Sequence, residues 1–302
     1  MPQIAVHVLH LNLNTPDAAA SDRFYQEVFG LNLKMKSGSD VGDWRFHGIP
    51  DPVTSEGWFL YDDRGARNSP ALEVVQWDKP AAGGAAYADF AHLGIGSLRL
   101  AVPTLDGLAE KIEANGGSVV SALGTDGLLI LDPDAVYVEV RPHAGADAGL
   151  TTTRISGVRV GVSDLATALA WYGVIGFQPL GAVHEHEVDV AGTGLRYKSV
   201  NVALADGVVD FELTQWLEPV ATELPEKRLW FRGMVRTALS VEDLDTALAD
   251  AKAAGLTVPE PQEFELPGTS IGSLRVCFLH DPDGFTVELV HRPASFFTKP
   301  GA

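Results

Sequence analysis

The stretch LILDPDAVYVEVRPH at 129–143 returns at 277–293 as CFLHDPDGFTVELVHRP. In each copy two apolar runs flank Asp-Pro-Asp. LILD and YVEV face each other across Pro133-Asp134-Ala135, and the later copy turns through Pro282-Asp283-Gly284, as hairpins do. Working outward, LEVVQW at 72–77 returns as FELTQW at 211–216, and LRLAVPTLDGLAEKIEANGG at 98–117 as RTALSVEDLDTALADAKAAG at 236–255. NLNTPDAAASDRFYQEVFGLNL at 12–33 returns as RVGVSDLATALAWYGVIGFQPL at 159–180. Four pairs in one order make the chain a duplication. Its joint lies near HAGADAGLTTT, 143–153, an Ala/Gly/Thr-rich stretch without periodicity, as in a linker.

Each half divides again. VLHLNLN alternates as a half-buried strand does. Asp17 stands at a helix N-cap, Phe24, Tyr25, Val28 and Phe29 follow at helical spacing, and Gly30 closes the helix. Residues 97–142 repeat the plan: strand SLRLAV, a helix expected from about Thr104 to Asn115, a stop at Gly116–Gly117, then strands. The expected fold is α+β: four βαβββ modules forming two cupped mixed β-sheets with helices outside. The modules run about 5–77 and 97–142 in an N-terminal unit, 1–144, and about 155–216 and 231–292 in a C-terminal unit, 154–295. A lone module cannot bury its sheet, so modules pair, and the concave face of the pair is the natural ligand site.

With 302 residues and 46% hydrophobic content, the chain is long enough for two domains with real cores. Its formal net charge of −18 argues against nucleic acid and anionic membranes as partners. The one cysteine, Cys277, excludes a disulfide framework and fits a reducing cytoplasm. The opening MPQIAVHVLHLNLNTPD lacks a basic region followed by a long apolar run, so no signal peptide is expected, and no stretch is apolar enough for a membrane span. Cys277, inside RVCFL, reads as buried and a poor nucleophile. No nucleophile elbow, Walker loop or dinucleotide fingerprint is present. Exposed sheet edges make a homodimer plausible.

His10, six intervening residues, Asp17, then Phe24-Tyr25 and Gly30-Leu31-Asn32-Leu33 form one pattern, and the ending from Asp281 to Leu289 forms another. Together they resemble the vicinal oxygen chelate superfamily, over nearly the whole chain. That superfamily includes glyoxalase I, extradiol dioxygenases, epimerases, fosfomycin-resistance enzymes and bleomycin-binding proteins, so fold does not fix function. The resemblance implies metal ligands on the first strand of a module, often His, and on its last strand, often Glu. Carried over, these places hold His10 and Glu73, then Ser97 and Glu139, then Gly157 and Glu212, then Arg236 and Glu288. The carboxylate is present four times and the imidazole once.

A catalytic divalent site needs about three protein ligands and one open position. If the first and second modules share a cup, His10, Glu73 and Glu139 form a one-His, two-Glu site, with Ser97 leaving the fourth place to water. Zn, Fe, Mn, Ni or Co would suit that set. In the second half, Arg236 between Glu212 and Glu288 would neutralise both carboxylates, making a metal-free structural copy. If instead the first module pairs with the fourth, His10 and Glu73 face Arg236 and Glu288, and Arg236 discourages a metal or binds an anionic substrate. Both pairings remain open at the level of sequence.

Among other candidates, His92 could supply a missing imidazole from a bulged strand but reads more simply as a loop residue. His184 and His186 share a strand face and could pinch a metal, but read more simply as a solvated face or a lid. His280 reads as a turn residue, and His143 and His291 as polar strand exits. Trp44, Phe46, Trp58 and Tyr61 on middle strands could line a pocket for a flat or apolar ligand, as could Arg196 and Tyr197 in the third module, though core packing is the simpler single explanation for each.

Three functions follow. The first is a glyoxalase-like lyase or isomerase whose divalent metal chelates two oxygens of a small-molecule substrate, with Glu73 or Glu139 as base and Ser97, Arg236, Glu288, Trp58 and Tyr61 in contact with substrate. The second is a metal-free sequestering protein of the bleomycin-resistance type, favoured by the loss of three imidazoles. The third is an extradiol ring-cleaving dioxygenase, disfavoured by Gly157 and Arg236 at the expected imidazole places.

Overall fold

A computed structural model describes residues 3–37, 40–42, 52–84, 86–87, 89–124, 126–221, 229–266, 272–293 and 295. The first module comprises β1 (His7–Thr15), α1 (Ala18–Phe29), β2 (Asn32–Lys36), β3 (Asp40–Gly42), β4 (Val53–Tyr61) and β5 (Ala71–Lys79). The second comprises β6 (Gly94–Val102), α2 (Leu108–Ala114), β7 (Ser118–Ala122), β8 (Leu128–Leu131) and β9 (Tyr137–Pro142). The third comprises β10 (Arg154–Gly161), α3 (Leu165–Ile175), β11 (Gln178–Pro179), β12 (His184–Val190), β13 (Thr193–Ala203) and β14 (Asp210–Glu218). The fourth comprises β15 (Arg236–Val241), α4 (Leu244–Ala253), β16 (Gln262–Leu266), β17 (Gly272–His280) and β18 (Thr286–His291).

In every module the first strand runs parallel to the last: β1 with β5, β6 with β9, β10 with β14 and β15 with β18. A parallel pair needs a long crossover, which the helix supplies. The modules join edge to edge through antiparallel first strands, β1 with β15 and β6 with β10. One nine-stranded sheet therefore runs β16-β17-β18-β15-β1-β5-β4-β2 with β3 on β4; the other runs β11-β13-β14-β10-β6-β9-β8-β7 with β12 on β13. The first module pairs with the fourth, and the second with the third. The open choice of pairing is settled in favour of exchange, and each cup takes one module from each half of the duplication.

The helices form where the sequence caps them. The side chains of Asp17, Asp164 and Asp243 accept the backbone N–H of Ala20, Thr167 and Thr246, satisfying otherwise unpaired donors. Gly30, at φ 69°, ends α1 in a left-handed turn. The second helix begins at Leu108 rather than near Thr104, because Gly107 stands in the left-handed region at φ 68° and interrupts the turn before it. All four helices pack on one side of the sheets. Leu11 and Leu72 from one sheet, Leu98 and Val138 from the other, and Phe24, Ile112, Tyr172 and Leu244 from the helices share one apolar core.

The Asp-Pro-Asp turns tie this core together. The Tyr25 hydroxyl donates to Asp132 at 2.9 Å, and Ser21 and Thr15 donate to Asp134 at 2.6 and 2.8 Å. In the other half Tyr172 donates to Asp281 at 3.3 Å. Each clasp links consecutive modules, and consecutive modules belong to different sheets. No described helix is long and apolar enough to cross a membrane.

Candidate functional site

Alternation sends the odd-numbered residues of β5 away from the helices: Leu72 and Val74 join the core, and Glu73 faces the inside of the cup. The parallel register sets Glu73 beside Asn12 on β1, with His10 two residues earlier on the same face. By the same register Glu288 lies beside Ala238 on β15, with Arg236 two residues earlier. The β1–β15 seam then brings all four side chains together. His10 Nε2 lies 3.3 Å from Glu73 Oε2 and 3.6 Å from Glu288 Oε2. Arg236 donates from Nη2 to the same Glu73 oxygen at 2.7 Å and from Nε to the same Glu288 oxygen at 3.3 Å. Asn12 Nδ2 adds a donor to Glu73 at 3.3 Å. Arg236, Glu73 and Glu288 are 7%, 7% and 8% exposed, so these charges interact with little screening by water. Burial pushes the Glu288 carboxyl up; the close approach of the His10 ring and the Arg236 guanidinium outweighs it and holds the group below the usual range.

This cup is not internally satisfied. His10 Nε2, Arg236 Nη1 and Asn12 Oδ1 are buried and make no hydrogen bond. Such groups are costly and are enriched where a protein meets a ligand. Phe59 flanks the His10 ring edge-on, with centroids 6.2 Å apart, and lies beside Glu73 in register. Tyr61 shares that face. Burial and the Glu73 charge raise its phenol against the opposing pull of Arg292.

The second cup holds an arginine in a different way. Arg159 on β10 grips Glu139 with two parallel bonds, Nε to Oε1 at 2.7 Å and Nη2 to Oε2 at 2.9 Å. Its Nη1 donates to Glu212 at 2.9 Å and to Thr214 at 3.0 Å. Ser97 donates to Glu139 at 2.6 Å, and Ser199 to Glu212 at 2.9 Å. Burial raises both carboxyls, but the Arg159 and Arg99 charges prevail, taking Glu139 down to about 2 and holding Glu212 below its ordinary value. Among the described residues, no buried polar atom of Arg159, Glu139 or Glu212 lacks a partner.

Several expectations change. Glu139 stands in the other sheet and does not join His10 and Glu73, because the first module does not pair with the second. Ser97 is fully buried and spent on Glu139, so it leaves no place for water. Arg236 lies between Glu73 and Glu288; Glu212 belongs to Arg159. Trp58 shares the parity of Leu60 and packs against the helix-side core, with Lys36 Nζ 3.0 Å over its ring, so it does not line the cup. Trp44 and Phe46 lie outside the described residues.

His92 stacks on Tyr87 and contacts the Leu93 carbonyl through Nδ1 at 2.7 Å, away from any ligand set. His184 is exposed, and His186 stacks on Tyr197 and approaches Ser199 at 3.2 Å. His143 contacts the Thr152 carbonyl at 2.7 Å, His291 accepts the Leu244 N–H at 3.3 Å, and His280 is exposed at its strand end. Arg196 lies beside Glu218 on the rim. Burial raises the Cys277 thiol to about 11, as befits a core sulfur.

A family description, glyoxalase/bleomycin resistance protein/dioxygenase superfamily, matches residues 7–140 and again 154–289. The chain belongs to this superfamily. Glyoxalase I from Zea mays is 20% identical, with 97% of this chain and 94% of that one covered and a TM-score of 0.66. A putative dioxygenase from Bacillus subtilis subsp. subtilis str. 168 is 11% identical, with 96% and 86% covered and a TM-score of 0.64. At these identities the likeness is one of fold. No curated protein matches at a significant level.

Many members of the superfamily hold a divalent metal, and both cups can be tested for that fit. In the first, the inward oxygens of Glu73 and Glu288 are already engaged by one guanidinium, which stands at the fourth corner beside His10. In the second, the imidazole places hold Ser97 and Gly157, and Arg159 reaches the space between the carboxylates. Among the described residues, no three His, Cys, Asp or Glu side chains are arranged to hold a metal ion. A guanidinium and a dication cannot share one carboxylate pair without strong repulsion, so the residues present do not fit a metal.

Proposed function

We propose that this protein handles a small hydroxy-carbonyl compound in the first cup, with the Arg236 guanidinium in the place a metal takes in relatives. The observation that carries this reading is the bridge from Arg236 to both Glu73 and Glu288, with Nη1 left buried and unpaired. Arg236 Nη1 offers N–H donors to a carbonyl oxygen. Asn12 Oδ1 offers an acceptor to a neighbouring hydroxyl, and His10 Nε2 a further polar contact. Two carboxylates against one guanidinium disfavour a strongly anionic ligand and favour a neutral one.

Such an arrangement supports proton transfer next to a carbonyl. Arg236 would polarise the carbonyl and stabilise negative charge growing on its oxygen. The His10–Glu73 pair, 3.3 Å apart, would take and return the proton. This is isomerase or lyase chemistry on vicinal oxygens, carried by side chains alone. The second reading is binding without turnover, of the bleomycin-resistance kind. The arginine knot in the other cup favours it, since a guanidinium also stands there between two carboxylates and, among the described residues, no buried polar atom of Arg159, Glu139 or Glu212 is left unpaired.

The test is exchange of the α-proton of small hydroxy-carbonyl compounds, dihydroxyacetone first, in deuterated water with EDTA present. Accelerated exchange that is insensitive to EDTA, lost in Arg236→Met and reduced in Glu73→Gln, supports proton transfer. Binding without exchange supports sequestration. Stoichiometric metal in the wild type, with exchange only when it is loaded, overturns both.

A further inference from the structure

The second cup holds more than its arginine knot. Beside it lies a cavity of about 210 Å³ whose walls include Phe90, Tyr137, Val190 and Leu195. Phe90 meets Tyr137 edge-on at 5.3 Å and Trp216 at 5.6 Å, and Tyr197 meets Trp216 at 5.1 Å. Phe90, Val190, Leu195, Tyr197 and Trp216 form an apolar cluster of their own, separate from the core between the sheets. The Arg159 guanidinium carbon sits 5.6 Å from the Phe90 ring and 5.0 Å from the Tyr197 ring, which places the knot against this cluster.

We propose that this cavity is a binding site for a neutral, single-ring apolar compound. Three observations select that class. The first is volume: an enclosed apolar cavity of about 150 Å³ accommodates benzene, and this half-open cavity of about 210 Å³, walled mainly by apolar side chains with Asp89 and Thr193 among them, has room for a ring with one or two carbon substituents. The second is charge. Among the described wall residues Asp89 is the one carboxylate and none is a cation, and four of the five N–H donors of nearby Arg159 are taken by Glu139, Glu212 and Thr214, so an anion meets a carboxylate on the wall and a cation already neutralised. The third is the shape of the walls. Phe90 and Tyr137, set edge-on to each other on the wall, present an edge and a face to a ring at the spacing such pairs favour, with Trp216 and Tyr197 packed near them. This site is independent of the His10–Arg236 cup: it lies on the other sheet and shares no residue with it.

The probe is 4-fluorotoluene, followed by fluorine NMR line broadening, with 4-fluorobenzoate as its anionic counterpart. The wild type is expected to bind 4-fluorotoluene at a single saturable site and 4-fluorobenzoate at least about tenfold more weakly, because the carboxylate would be buried unpaired. Two substitutions fill the cavity from different walls. Val120→Trp enters from a half-buried lining position and Leu195→Phe from a buried one, and either is expected to weaken binding about tenfold or more by removing the space. His10→Ala is expected to leave it unchanged, so that failure here and failure of the first-cup function read separately. Absence of broadening up to the solubility limit overturns the proposal. So does broadening that survives both filling substitutions in folded protein, or equal binding of the benzoate.

Discussion

Arg236 and Glu73 are 163 positions apart in sequence, yet Nη2 of one lies 2.7 Å from Oε2 of the other. That bond exists because β15 lies against β1, and it is the point at which the duplication becomes one cup. Many members of the superfamily hold a divalent metal; here a guanidinium neutralises the paired carboxylates, with five N–H donors to distribute.

If the guanidinium has replaced a metal, reversing the replacement should restore one. Arg236→His would set an imidazole among His10, Glu73 and Glu288, giving nitrogen and carboxylate donors suited to Zn, Co or Ni. The expected outcome is about one metal per chain after loading, with the visible spectrum of low-coordinate Co(II), against none for the wild type. Metal bound equally by both proteins would show that Arg236 does not exclude it.

The corresponding change in the second cup should fail. Gly157 holds φ 149°, and a Cβ there would stand 1.7 Å from the Asp210 carbonyl oxygen. Gly157→Ala is expected to cost at least about 2 kcal/mol in urea unfolding from strain and overlap, and Gly157→His more. A stable, metal-binding Gly157→His protein would contradict the register described for β10 and β14.

The repeat was legible because each module carries its own helix cap, glycine stop and hairpin turn. His10, Glu73, Arg236 and Glu288 could be listed by carrying one module's positions onto another. Module pairing was not legible. The free edge of β1 accepts β6 or β15 equally well as an antiparallel neighbour, and no local signal in either strand names its partner. Arg159 was missed because the position carried over fell on Gly157. Alternation in ISGVRVGV places Arg159 on the same face two residues later, with Val158 and Val160 opposite, and that pattern could have found it. Of the two readings of Trp58, core packing is the one the fold takes: parity with Leu60 sends it to the helix side and away from the cup.

The Arg159 knot should behave as a structural pin. Arg159→Met leaves Glu139 and Glu212 buried with like charge and is expected to destabilise by about 3–5 kcal/mol. Arg159→Met with Glu139→Leu and Glu212→Leu together should recover most of that loss, since apolar groups then fill the space. Chemical denaturation of the single and triple variants measures both. A loss under about 1 kcal/mol for the single variant would mean water reaches the knot.

Stability should change with pH in two separate windows. Burial, reinforced by Asp134, raises Asp132 to about 7, and burial with Asp283 nearby raises Asp281 to about 6. A carboxyl whose folded value is raised contributes stability below its unfolded value near 4, and that contribution is lost as pH climbs through 6 to 7. Glu139, lowered to about 2, acts in the opposite sense: its contribution is present above about 4.5 and is lost as pH falls toward 2. Thermal unfolding should therefore show greatest stability near pH 4, with a decline on both sides. Asp132→Asn keeps an acceptor for the Asp134 and Val136 N–H groups and removes the ionisation. It should flatten the decline between about pH 4 and 7 while leaving the acid limb in place, and an unchanged neutral limb would assign that decline to other groups.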